Sequence, residues 1–117
     1  MEDPAAKACL LWVTAPDQDC AQTLAEEVLH RGLAACVNIL PGMRSMYHWQ
    51  GAIHSDHEVV LVIKTTTAVA ASCRSCIVAA HPYELPCVLQ LAVSDGHGPF
   101  VEWLHLQTSV QHSGDEQ

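Results

Sequence analysis

The spacing of hydrophobic positions changes repeatedly along the chain, and these changes divide it into seven segments. CLLWVTA, from Cys9 to Ala15, is an unbroken apolar and β-branched run ended by Pro16, the pattern of a buried strand. Asp17 stands as a cap before a helix in which Ala21, Leu24, Ala25, Val28 and Leu29 recur at three and four, with Glu26 and Glu27 opposite and Gly32 as the stop. AACVNIL, from Ala34 to Leu40, is a second strand, which Pro41-Gly42 bends before MRSMYHW carries it on. Past Gln50-Gly51 the chain returns as a third strand from Ile53 to Thr65, whose fully apolar end, Val59 to Ile63, marks a central position in a sheet. Thr66 or Thr67 caps a helix from Ala68 to Ala80, which stops at His81-Pro82 because proline disfavours helical geometry in the residue before it. Cys87 to Gly96 is a fourth strand, and Pro99 opens a last helix with Phe100, Trp103 and Leu104 on one stripe.

The order is β-α-β-β-α-β-α, with no internal repeat or linker. Two β-α-β units sharing an antiparallel sheet, both helices on one face, predict an α+β, ferredoxin-like sandwich with an extended β2-β3 hairpin and a C-terminal helix. That hairpin runs past the expected core. It carries Met46, Tyr47, Trp49 and Ile53 on a two-stranded ribbon that is marginal alone in water. A closed ring in which each hairpin adds to a neighbour's sheet buries these side chains and removes open edges, so the pattern predicts a homo-oligomer, most simply a homotrimer.

At 117 residues the chain suits one domain: a flexible N-terminus over 1–8, a folded domain over 9–110 and a disordered tail over 111–117. Five basic residues against thirteen acidic ones give a net charge of -8, and the basic ones are scattered, which argues against a nucleic-acid partner. No run approaches the roughly 20 apolar residues of a membrane span, and MEDPAAKA has no leader-like pattern, so a cytoplasmic protein without direct membrane insertion is expected. The six cysteines sit in apolar, periodic stretches rather than at disulfide-scaffold spacing, and read as reduced thiols.

YHWQGAIHSDHE, from Tyr47 to Glu58, has the composition of a metal site. If Gln50-Gly51 is a two-residue turn, however, alternation puts His48 and His57 on one face and His54, Asp56 and Glu58 on the other. On their shared face His48 and His57 stand about 13 Å apart, too far for one ion. His54-x-Asp56 supplies two ligands, and a solvated strand face competes with that reading. Ser-His-Asp and G-x-S-x-G arrangements are absent, and no catalytic residue emerges.

AACVNILPG from Ala34, Ser45-x-Tyr47-x-Trp49-x-Gly51, Glu58-Val59, Ile63-Lys64-Thr65, His81-Pro82-Tyr83-Glu84 and Trp103 together resemble the signature of the CutA family of divalent-cation tolerance proteins, over a match from about Val13 to Ser109. The resemblance implies a ferredoxin-like fold, a very stable homotrimer and kinship in architecture with PII signalling proteins. It implies a link to copper and other divalent metals, with none required for folding, and no catalytic reaction. For mammalian members it implies a partner role in anchoring or maturing acetylcholinesterase. The chain departs from the family pattern at Cys87, where relatives commonly carry an acidic residue, and in an alanine-, serine- and cysteine-rich second helix.

Cys36 matches the family's cysteine and offers a thiolate suited to Cu(I). Cys73 and Cys76 lie one helical turn apart and His81 follows at the helix exit, so Cys36, Cys76 and His81 are candidate metal ligands, with structural burial as the competing reading. A redox role for C-R-S-C needs its first cysteine at a helix N-terminus, whereas Cys73 is expected well inside. Tyr47, Trp49, Glu58, Lys64 and Tyr83 suit a subunit interface or a cleft between subunits, where the Lys/Glu pair orients a small anion or satisfies itself.

Overall fold

The computed structural model describes residues 6–108 of the 117. Residues 1–5 of the expected flexible N-terminus, and the whole of the expected tail over 111–117, lie outside the described residues. The elements follow the predicted order: β1 (Ala8–Ala15), α1 (Gln18–His30), β2 (Cys36–Trp49), β3 (Ala52–Thr66), α2 (Ala70–Ala80), β4 (Val88–Ala92) and α3 (Gly98–Gln107). The strands form one antiparallel sheet in the order β2-β3-β1-β4, which is ferredoxin-like topology.

Strand alternation sorts the sheet into two faces. Leu11, Val13 and Ala15 of β1 and Val59, Leu61 and Ile63 of β3 turn inward and meet Ala21, Leu24 and Val28 of α1 and Cys73 and Ile77 of α2. Each fully buried large aliphatic in this layer contributes on the order of 1.5–3 kcal/mol from leaving water. Leu29, expected on the same stripe, is 41% exposed at the margin of the helix face.

α1 is closed at both ends by its own sequence. The Asp17 carboxylate accepts the Cys20 amide at 2.8 Å. At the other end Gly32, with φ +70°, lets its own N–H reach the Leu29 carbonyl and the Leu33 N–H reach the Val28 carbonyl, a Schellman close. α2 differs from expectation: it starts at Ala70, and neither threonine caps it. The Thr67 hydroxyl instead accepts the Lys7 amide at 2.9 Å, and the Thr66 hydroxyl meets that of Thr108 at 3.2 Å. β4 ends at Ala92, four residues short of the predicted Gly96, because only Val88 to Ala92 have partners on β1.

The β2-β3 hairpin has the register predicted from the turn, Trp49 opposite Ala52 and His48 opposite Ile53. Gln50 and Gly51, with φ of 51° and 81°, make a turn of the type whose twist suits a hairpin. β2 breaks its pairing between Leu40 and Met43, where Gly42 has φ +83°, so Pro41-Gly42 is a bulge within one long strand. β1 pairs with β3 only from Val59 onward. Ala52 to Glu58 are therefore held by β2 alone, and at roughly 3.3 Å per residue the ribbon extends about 23 Å beyond the four-stranded sheet.

Candidate functional site

The face of the sheet opposite α1 and α2 carries Trp12 and Thr14 of β1 and, by register, Glu58, Val60, Val62 and Lys64 of β3. One end of it is covered by α3. There Thr108 Oγ1 donates to the Leu104 carbonyl and meets Thr66 Oγ1, while Lys64 Nζ lies 5.5 Å from the Phe100 ring centroid. The other end, toward the ribbon, opens into a cleft of about 660 Å³. Trp12 and Thr14 line it from the sheet, Tyr47, Trp49, Asp56 and Glu58 from the ribbon, and Tyr83, Leu85 and Cys87 from the segment between α2 and β4.

That segment is fixed by His81. Pairing between β1 and β4 stops at Val13 opposite Val88, and one residue on, the Thr14 carbonyl accepts from His81 Nε2 at 2.7 Å. His81 Nδ1 accepts the Tyr83 amide at 3.1 Å, which makes the ring the neutral Nε2–H tautomer. The imidazole thus replaces a missing ladder partner and aims the Tyr83 side chain at the cleft. The two rings meet with centroids 4.7 Å apart.

Both carboxylates on the ribbon take a phenol as donor. Tyr83 Oη donates to Glu58 Oε2 at 2.8 Å, and Tyr47 Oη donates to Asp56 Oδ2 while its ring stacks on His54 at 5.8 Å. Burial, and then the hydrogen bond to Glu58, push the Tyr83 phenol up from its ordinary value. For Tyr47 the bond to Asp56 leads in the same direction. Both phenols therefore stay protonated donors at neutral pH. Burial also raises the Cys87 thiol, with the Glu58 charge adding to it and a hydrogen bond from Thr14 opposing it. Glu58 is only 9% exposed, and the one ion pair among the described residues, Arg31 to Glu27, lies elsewhere.

Tyr47, Trp49, Glu58 and Tyr83 thus converge. Lys64 does not: it lies six residues along β3 from Glu58, about 20 Å at roughly 3.3 Å per residue, under Phe100. No Lys/Glu pair forms in the cleft. Cys36, Cys76 and His81 are likewise not brought together. Cys36 sits on β2 opposite Lys64, with Asn38 Oδ1 at 4.0 Å from its sulfur. Cys76 packs against the core, its thiol raised by burial, with Arg31 and Glu27 of α1 as its charged neighbours. Both nitrogens of His81 are already engaged. Among the described residues no group of three His, Cys, Asp or Glu is placed to hold a metal ion.

The histidines of the ribbon divide as the alternation implies: His54, Asp56 and Glu58 share the cleft face, and His57, opposite Arg44, shares the other with His48. Cys73 stands nearer the helix start than expected, its amide bonding the Val69 carbonyl in the first turn, yet burial pushes its thiol up to about 12. Trp12, Thr14 and Cys87 went unrecognised as cleft residues from sequence. Trp12 was findable, since it alternates with the inward Leu11 and Val13. Cys87 was not, because a bend after α2 brings it there.

The family model described as CutA1 divalent ion tolerance protein matches residues 9–107. The divalent-cation tolerance protein CutA of Thermus thermophilus is 38% identical over 96 residues, 82% of this chain and 93% of that one. Protein CutA of Mus musculus is 38% identical over 104 residues, and the chain spans 59% of the mouse protein's length. Among solved structures, the Thermus thermophilus divalent cation tolerance protein superposes with a TM-score of 0.85 at 35% identity, covering 87% of this chain and 99% of that one. The periplasmic divalent cation tolerance protein CutA of Archaeoglobus fulgidus does so with a TM-score of 0.85 at 30% identity, covering 87% and 99%.

Proposed function

The chain belongs to the CutA1 divalent ion tolerance family, and from that premise we propose that it is a non-catalytic homotrimer of divalent-metal tolerance that handles copper in the cytoplasm. The family is named for tolerance of divalent cations and not for a reaction. The observation that carries the trimer reading is the ribbon, on which Met46 and Ile53 are 69% and 68% exposed on one face while Tyr47 and Trp49 remain half-open on the other. An isolated two-stranded ribbon with that much apolar surface gains stability by adding to a neighbour's sheet. Each protomer also offers the short edge strand β4, and a ring of head-to-tail contacts closes without leftover edges. The sandwich with its long hairpin supports a PII-like reading of the architecture. No helix among the described residues is long and apolar enough to cross a membrane.

Within this reading copper rests on Cys36. Its half-exposed thiol lies on the face of the sheet opposite α1 and α2, and thiolate is a strong Cu(I) donor. Cys76 and His81 are committed to packing and hydrogen bonds, and the remaining donors come from other protomers. Anaerobic titration of the reduced protein with Cu(I) against a chromogenic competitor tests this. Cys36→Ala is expected to abolish binding and Cys76→Ala to leave it intact; equal binding by Cys36→Ala and the parent protein would remove Cys36 from the site. The same exposed ribbon supports a second reading, an interaction module assisting assembly of a partner such as acetylcholinesterase. A monomeric mass together with no copper binding would favour it.

A further inference from the structure

We propose that the cleft is completed across the protomer contact: the partner's Lys64 enters it and pairs with Glu58. The inference rests on the assembly proposed above and deepens it by naming the contact that orders the ring. The face of the sheet opposite α1 and α2 is apolar through its middle, where Leu89 lies opposite Trp12, Leu91 opposite Leu10 and Leu40 opposite Val60. Leu40, Leu89 and Leu91 are 51%, 60% and 44% exposed in the single chain, an apolar patch of the kind that marks an interface. By register, the four-stranded part of this face carries one cation and one anion, Lys64 and Glu58, at its two ends.

Neither charge is answered within its own chain. Glu58 is nine-tenths buried, is met by the neutral phenol of Tyr83, and lies in a cleft that no lysine or arginine among the described residues lines. Lys64 is half-buried, and its Nζ lies over the Phe100 ring rather than beside a carboxylate. The one ion pair among the described residues involves neither of them. A buried carboxylate without a counter-charge is costly. Six residues of strand hold the two groups about 20 Å apart at roughly 3.3 Å per residue, so one chain cannot join them. A head-to-tail contact does. It sets the Lys64 end of one protomer against the Glu58 end of the next, and closing the ring uses each Lys64 and each Glu58 once. The cleft suits the side chain that enters: Trp12, Trp49 and Tyr83 offer apolar faces to a lysine stem and ring quadrupoles to its ammonium. Asp56 and Glu84 add negative charge around Glu58. The cleft that stands open in the single chain is thus filled by the partner.

The test is a double-mutant cycle on the full chain: parent, Lys64→Gln, Glu58→Gln and the double variant, each followed in urea to the midpoint at which light scattering loses the assembled mass. Two residues about 20 Å apart in one protomer act additively, whereas residues paired across a contact do not. Each single variant is expected to lower the midpoint, corresponding to at least about a tenfold loss in the assembly constant. The double variant is expected to lie no lower than the weaker single. Glu58→Gln keeps an oxygen for the Tyr83 phenol. Should it not fold, carbodiimide treatment of co-refolded ¹⁴N- and ¹⁵N-labelled parent protein reads the same contact. The reagent activates the Glu58 carboxylate, the partner's Lys64 amine displaces it as its urea, and a Lys64–Glu58 amide is expected in mixed-isotope peptides. Additive midpoints, single variants that match the parent, or no mixed-isotope amide would overturn the pairing. The parent's own mass separates the two readings: a trimer with additive variants removes only the pairing, and a monomer at micromolar concentration removes the assembly and the pairing with it.

Discussion

His81 shows how one side chain can carry both the fold and the cleft. Its ring gives the Thr14 carbonyl a donor where β4 has ended, and gives the Tyr83 amide an acceptor. His81→Ala leaves both groups unpaired in a buried setting, so urea unfolding should show a loss of about 2–4 kcal/mol at about 1–2 per group. Cys73 carries a pH dependence. Burial raises its folded value from 9.0 to about 12, so below pH 9 both folded and unfolded chains hold the thiol proton and the full stability is present. As pH rises from 9 toward 12 the unfolded chain ionises first and stability falls. Melting curves across that window should drop steadily, and more shallowly in Cys73→Ala than in the parent protein. Sequence placed Cys73 by periodicity but misjudged why it is inert: it stands close to the helix start, and burial rather than position keeps it a thiol. His81 was legible only as a helix terminator, since its partner Thr14 is sixty-seven positions away.

At the scale of elements, the hairpin was readable to the residue and the second helix was not. A two-residue turn and strict alternation leave one register that keeps Trp49 and Tyr47 on one face and His48 on the other, because a slip of one residue reverses every side chain. The start of α2 depends on hydroxyls that bond to Lys7 and Thr108, partners remote in sequence that no local pattern announces. The same logic gives a test of the turn. Gln50 holds φ 51°, a conformation in which a side-chain-bearing residue other than asparagine or aspartate is strained, so Gln50→Asn should stabilise the hairpin by about 0.5–1 kcal/mol. Gly51→Ala, at φ 81°, should cost about 1 kcal/mol or more, and denaturant midpoints of the two variants should move in opposite directions.

At the scale of the whole molecule, the sandwich was legible because each β-α-β unit carries its own period. The cleft was half legible: Tyr47, Trp49, Glu58 and Tyr83 were named, while Trp12 and Cys87 join them only through tertiary placement, and Lys64 falls elsewhere. The account turns on what covers the ribbon and the open face of the sheet. If protomers do, a charge placed at the exposed Ile53 should loosen them, and Ile53→Glu should lower the assembled mass while leaving the protomer's circular dichroism unchanged. The most direct measurement is the mass of the parent chain by light scattering at micromolar concentration. The expected value is about 38 kDa, three times the 12.7 kDa chain; a single species at 12.7 kDa would contradict the account.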